Sequence, residues 1–189
     1  ARVDVTYYRR HMTQFADDDL LLNTGVSFPI AFDRAQISGT EVKLEIPRWK
    51  AMTTSVSYSH MKGVGYLPIS GGLLLGDDSE ELLTATDRFP ISQDQRHTIR
   101  GRVNYQVSPR AWVAFGGAYG SGLPVETEGD LDEAVEQYGE RIVERVDLES
   151  GRVHASYSFD ASAGVVLMQS TKASLRVQAD VLNLTDRLN

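Results

Sequence analysis

Cysteine is absent from this 189-residue chain. Disulfides, thiolate chemistry and Cys-based zinc sites are thereby excluded. Long apolar runs are absent as well, and no stretch approaches the roughly 18 uninterrupted residues that a membrane helix needs. That excludes helical spanning but not a membrane barrel, whose strands are only half apolar and average to near-neutral hydropathy; the mean hydropathy here is -0.27. Positive charge is in deficit, with 19 Lys and Arg against 26 Asp and Glu and a formal net charge of -7. A nucleic-acid partner is not expected, because phosphate backbones are held by basic stripes. The chain opens Ala1-Arg2-Val3-Asp4, with no initiator Met and no secretory leader. It also opens inside a strand pattern, so the expectation is a fragment of a mature protein.

What is present is period two. Val42, Leu44 and Ile46 alternate with Glu41, Lys43 and Glu45, and Met52, Thr54, Val56 and Tyr58 with Thr53, Ser55, Ser57 and Ser59. Ile99, Val103, Tyr105 and Val107 alternate with Arg100, Arg102, Asn104 and Gln106. Val153, Ala155, Tyr157 and Phe159 alternate with Arg152, His154, Ser156 and Ser158, and Leu175, Val177, Ala179 and Val181 with Ser174, Arg176, Gln178 and Asp180. Such alternation marks strands with one apolar and one polar face. Weaker strands near 3–15 and 111–119 bring the expected total to about seven. Several runs reach about ten residues, the length needed to cross a bilayer at a tilt.

The links between the strands sort by length. Long ones are expected at 17–35, 62–93 and 121–147. Tight turns are expected at Pro47-Arg48-Trp49 and Ser108-Pro109-Arg110, and a shorter link at 160–172. Long and short links alternate, as in an antiparallel outer-membrane barrel with short periplasmic turns on one rim and long external loops on the other. The apolar alternates carry no charge, as a lipid-facing surface requires. Tyr7, Tyr8, Trp49, Tyr58, Tyr66, Trp112 and Tyr119 fall near strand ends, where interfacial aromatic girdles belong. The fold expected is therefore all-β: part of an antiparallel up-and-down transmembrane barrel.

Four segments resemble the barrel domain of TonB-dependent receptors. These are Asn23-Thr24-Gly25 through Ile37-Ser38-Gly39-Thr40-Glu41, Asp94-Gln95-Arg96-His97-Thr98, Gly120-Ser121-Gly122-Leu123-Pro124, and Val177 through Asn183-Leu184-Thr185-Asp186. The last is similar to a penultimate-strand motif in which Thr185 replaces the commoner Phe. The resemblance implies a barrel of about 22 strands with a plugged lumen, of which residues 1–189 would be the C-terminal part without its final strand, its earlier strands or its plug. It further implies binding of a scarce external substrate (iron-siderophore, cobalamin, glycan or peptide). Import would then be driven through TonB, acting on the plug region.

No enzyme is expected. The nucleophile elbow, the P-loop and paired-carboxylate signatures are all missing. His11, His60, His97 and His154 lack metal-ligand spacing, so neither metal nor cofactor is expected. Candidate lumen-wall residues are the polar alternates Arg100, Arg102, Asn104, Arg152 and Arg176, with His60 and His97 as candidates for loop-level ligand contact. Acidic clusters at Asp77–Glu81 and Glu126–Glu136 read as solvated external loop. Leu131, Ala134, Val135, Tyr138, Ile142 and Val146 are spaced for a short amphipathic helix, which Gly139 weakens. Gly71–Gly76 reads as a mobile loop. Two other readings stay open: a passive porin-like barrel, and a soluble β-barrel binding an apolar ligand.

Overall fold

The computed structural model describes residues 1–20, 27–71, 87–125, 135–136 and 139–186. The main elements are β1 (Arg2–Leu20), β2 (Ser27–Trp49), β3 (Met52–Gly71), β4 (Arg88–Pro90), β5 (His97–Ser108) and β6 (Ala111–Gly120). They continue with α1 (Glu140–Val143), β7 (Val146–Asp147), β8 (Arg152–Val153), β9 (Ser156–Gln169) and β10 (Ser174–Val181). One antiparallel sheet runs β1-β2-β3-β5-β6-β9-β10 in chain order, with β4 also paired to β3. Along this path each strand pairs with the one before it, an up-and-down meander, while β7 and β8 pair separately within the link between β6 and β9.

Directly paired residues share a face, and the registers join these pairs into rows across six or more strands. Val5, Val42, Tyr58, Ile99, Tyr119 and Tyr157 make one row, and Val3, Leu44, Val56, Gly101, Gly117 and Phe159 the next. Below them lies Ile46, Thr54, Val103, Phe115, Ala161 and Val181. No charge occurs in these rows, yet Val3 is 62% exposed, Phe115 59% and Val181 52%. The opposite face carries the rows Asp4, Lys43, Ser57, Arg100, Ala118 and Ser158, and Arg2, Glu45, Ser55, Arg102, Gly116 and Asp160. Among the described residues no layer covers this large apolar face, which backs onto a charged one. The buried apolar core is correspondingly small, with Ala35, Ile91, Ala114 and Val143 among the described residues.

The turns sort by rim. Lys50-Ala51, Pro109-Arg110 and the 170–173 turn lie at one end, and the links after β1, β3 and β6 at the other. The parity expected from the sequence is present, but three boundaries move. The link expected over 17–35 is mostly strand, because β1 and β2 stay paired as far as Leu20↔Ser27. β3 likewise continues to Gly71, well past Lys62. The link expected over 160–172 is the body of β9, and only 170–173 turns. Here Val165-Val166-Leu167-Met168 is apolar on both faces and Ala161–Gly164 is small, so period two is blurred. Trp112 and Tyr8, expected in the aromatic girdle, pair on the polar face with Gly164 and Gly39. Gly71 lies in β3, while Gly72–Gly76, Asp77–Glu81 and 126–134 lie outside the described residues. Of the helix expected over 131–146, the described core is the single turn α1, and Val146 already belongs to β7.

Candidate functional site

The polar face forms a hollow just inside the long-loop rim. On β6 its alternates are Ala114, Gly116, Ala118 and Gly120. Side chains this small leave space above the strand, and the neighbours lean into it. Gln95, Thr98, Arg100, Ala118, Gly120, Ser156 and Ser158 are among the residues lining a hollow of about 150 Å³. Thr98 Oγ1 donates to Gln95 Oε1 at 3.1 Å, and Gln95 Nε2 donates to the Ser121 carbonyl at 2.9 Å. A Cβ on Gly120 would come within 2.5 Å of Gln95 Nε2, so a side chain there would displace this amide from its place across the strand. The result is a concave patch rich in hydroxyl and guanidinium donors, suited to an oxygen-rich or anionic group.

Above the hollow a buried carboxylate organises the rim. Between β4 and β5 the chain leaves regular pairing, and Asp94 Oδ1 accepts the Gly63 N–H at 2.8 Å, a place that a ladder carbonyl would otherwise fill. Asp94 is fully buried. Its Oδ2 accepts Arg96 Nε at 2.7 Å and Arg152 Nη2 at 2.6 Å. Arg152 Nη1 also donates to the carbonyls of Asp94 and Gly122, at 2.8 and 2.9 Å. On the other side Asp17 of β1 accepts the Ser92 N–H at 2.9 Å and is also bonded by the Ser92 hydroxyl. Ile91, with no exposed surface, packs against β3 where Gly63 leaves room. The segment between β4 and β5 is therefore held by β1, by β3 and by the link between β6 and β9.

Arg100, Arg102 and Asn104 stand on the polar face of β5 as expected, opposite Ser57, Ser55 and Thr53. Arg176 is on the polar face too, but on β10 opposite Val166, towards the short-turn rim and away from the hollow. Arg152, expected on a strand wall, sits instead in the two-residue β8 within the link between β6 and β9, because β9 begins only at Ser156. Its guanidinium is committed to Asp94. His60 and His97 are direct cross-strand partners with ring centroids 5.2 Å apart. They lie on the apolar side, where the Tyr58 hydroxyl and His97 Nδ1 are 2.9 Å apart, so they do not face the hollow.

No family model matches the sequence, and no curated protein matches it. Among solved structures, the chain is similar to the closed form of the ferric-catecholate import receptor Fiu from Escherichia coli K12. The TM-score is 0.56 at 15% sequence identity. The match covers 98% of this chain and 21% of that receptor, so the chain spans about a fifth of the receptor's length. The likeness is one of fold: this chain has the architecture of a portion of a β-barrel wall.

Sequence reasoning names Asp94 and Gln95 within a strand-entry segment but not as site residues, and it misses the small alternates of β6. The last were legible, since Ala114, Gly116, Ala118 and Gly120 recur at period two. Asp94 was not, because a carboxylate replacing a ladder carbonyl leaves no periodic trace.

Proposed function

We propose that this chain forms part of the wall and external rim of an outer-membrane import receptor of the TonB-dependent kind, and that it has no catalytic role. The observation that carries the reading is the continuous charge-free face across seven strands, exposed and backed by a charged face. In water such a surface would drive aggregation; against acyl chains it is the required covering. From Ile99 to Val107 the apolar stretch on β5 spans about nine residues, the length of one tilted bilayer crossing. Tyr58, Tyr119 and Tyr157 form the row at its long-loop edge and Trp49 lies at the short-turn edge, as interfacial girdles do. The polar face then lines the lumen, and the hollow at Arg100 is where an oxygen-rich external solute would first meet the wall.

An import receptor and an open porin share these faces but differ in conductance. In the complete protein carrying this chain, placed in a planar bilayer, a plugged receptor leaves the membrane without steady ion current. A stable open-channel current would favour the porin and overturn the import reading.

A further inference from the structure

The charge-free face ends, towards the long loops, on the row Tyr7, Thr40, His60 and His97. Beyond it on the same side the next row is Arg9, Ser38 and Lys62, and two rows further lie Thr13, Arg34, Tyr66 and Arg88. Four cations thus lie within one face of β1 to β4, close above the apolar belt. They are poorly neutralised. Arg9 Nη2 donates to the Gln36 amide oxygen at 3.1 Å. The Arg34 guanidinium lies 4.8 Å from the Tyr66 ring centre, and its Nε is 3.8 Å from Asp33 Oδ2. Among the described residues Arg9, Lys62 and Arg88 have no carboxylate partner. The patch is also local, for the same rim on β6 and β9 ends on Tyr119 and Tyr157 without a cation.

We propose that this patch binds the phosphate groups of a phosphorylated lipid headgroup in the outer leaflet. The inference rests on the reading that the apolar face meets lipid. Headgroup phosphates lie where the acyl region ends, which is where these cations begin. Arg9 and Lys62 are two strands apart, roughly 10 Å, a span that flexible side chains close around one headgroup. Guanidinium and ammonium groups pair strongly with phosphate oxygens. A free anion would gain only these contacts, whereas a lipid continues its acyl chains down the adjoining rows at Val5, Val42 and Tyr58. That continuity selects the lipid over soluble phosphate.

The test uses the complete protein carrying this chain in phosphatidylcholine nanodiscs containing lipid A, either diphosphorylated or dephosphorylated. Native mass spectrometry counts the lipid A retained on extraction. The wild type is expected to retain the diphosphorylated form selectively. An Arg9→Ala, Arg34→Ala and Lys62→Ala triple variant is expected to lose that retention by roughly tenfold or more, and Arg110→Ala with Lys172→Ala at the opposite rim to keep it. Equal retention by wild type and triple variant overturns the proposal, as does complete displacement by millimolar inorganic phosphate, which marks a free-anion site. A wild type that inserts but shows no lipid preference overturns this inference alone. A wild type that never enters the nanodisc overturns the membrane reading, and this inference with it.

Discussion

The Arg152 guanidinium meets the fully buried Asp94 carboxylate at 2.6 Å, joining two links that are 58 residues apart in sequence. Asp94 also holds the Gly63 N–H of β3 and Arg96 Nε, so one carboxylate fixes the order of the long-loop rim. Removing Arg152 leaves a buried acceptor with part of its partners. Arg152→Met is expected to weaken the local structure by about 1–3 kcal/mol while leaving the strand ladder intact. Hydrogen exchange should rise at Gly63 and in 121–125 and stay unchanged in β1 and at the short turns. Uniform protection in the variant would contradict the assignment.

The two faces predict opposite responses to charge. Val103→Arg places a cation in the middle of the apolar belt and should cost about 2–4 kcal/mol, read as lost heat-resistant assembly on a gel. Arg102→Gln, one residue away on the polar face, should assemble normally.

Gly63 and Ile91 make a third test. A Cβ at Gly63 would come within 2.5 Å of Ile91 Cδ1. Gly63→Val is therefore expected to expel Ile91 and expose the segment between β4 and β5 to protease. Unchanged cleavage between Pro90 and Arg96 would show that Ile91 does not dock there.

Asp147, in the link between β6 and β9, has its pKa lowered, first by its side-chain hydrogen bond with Ser150 and then by the backbone N–H groups of Ser150 and Glu149. A carboxylate with a depressed folded pKa contributes order above its unfolded value of 3.8, and that contribution fades as pH falls through the folded value. In a carboxyl-resolved NMR titration Asp147 should titrate below 3.8, and Ser150→Ala should move it up towards that value. Titration at or above 3.8 in the unsubstituted protein would contradict the hydrogen-bond geometry.

Periodicity carried most of the fold. Ile99 to Val107 and Met52 to Tyr58 alternate so strictly that face assignment follows. Where the environment stops distinguishing the two faces, the signal fails. The paired stretches of β1 and β2 near Asp17 and Ile30 extend beyond the belt, so nothing forces one side to be apolar, and they read as loop. In β9, Val165 to Met168 is apolar on both sides and also read as link. The candidate site was half legible. Arg100, Arg102 and Asn104 follow from alternation alone, but Arg152 follows the pattern of Tyr157 and Phe159 only if one strand runs through His154 and Ala155, where the pairing is interrupted between β8 and β9. His97 opens β5, but His60, expected near a strand end, lies mid-strand because β3 runs on to Gly71. Which side they face follows only once their parity with Tyr58 and Ile99 is tied to the apolar rows.

The central claim, that the apolar rows face lipid and the polar rows an aqueous lumen, is tested most directly by single-cysteine labelling in the complete protein in outer membrane, on its cysteine-free background in this region. Cysteines at Val103 and Phe159 should be shielded from small water-soluble maleimides, and those at Arg102 and Ser158 should react. Reaction at Val103 and Phe159 in a protein that fractionates without detergent would contradict the account.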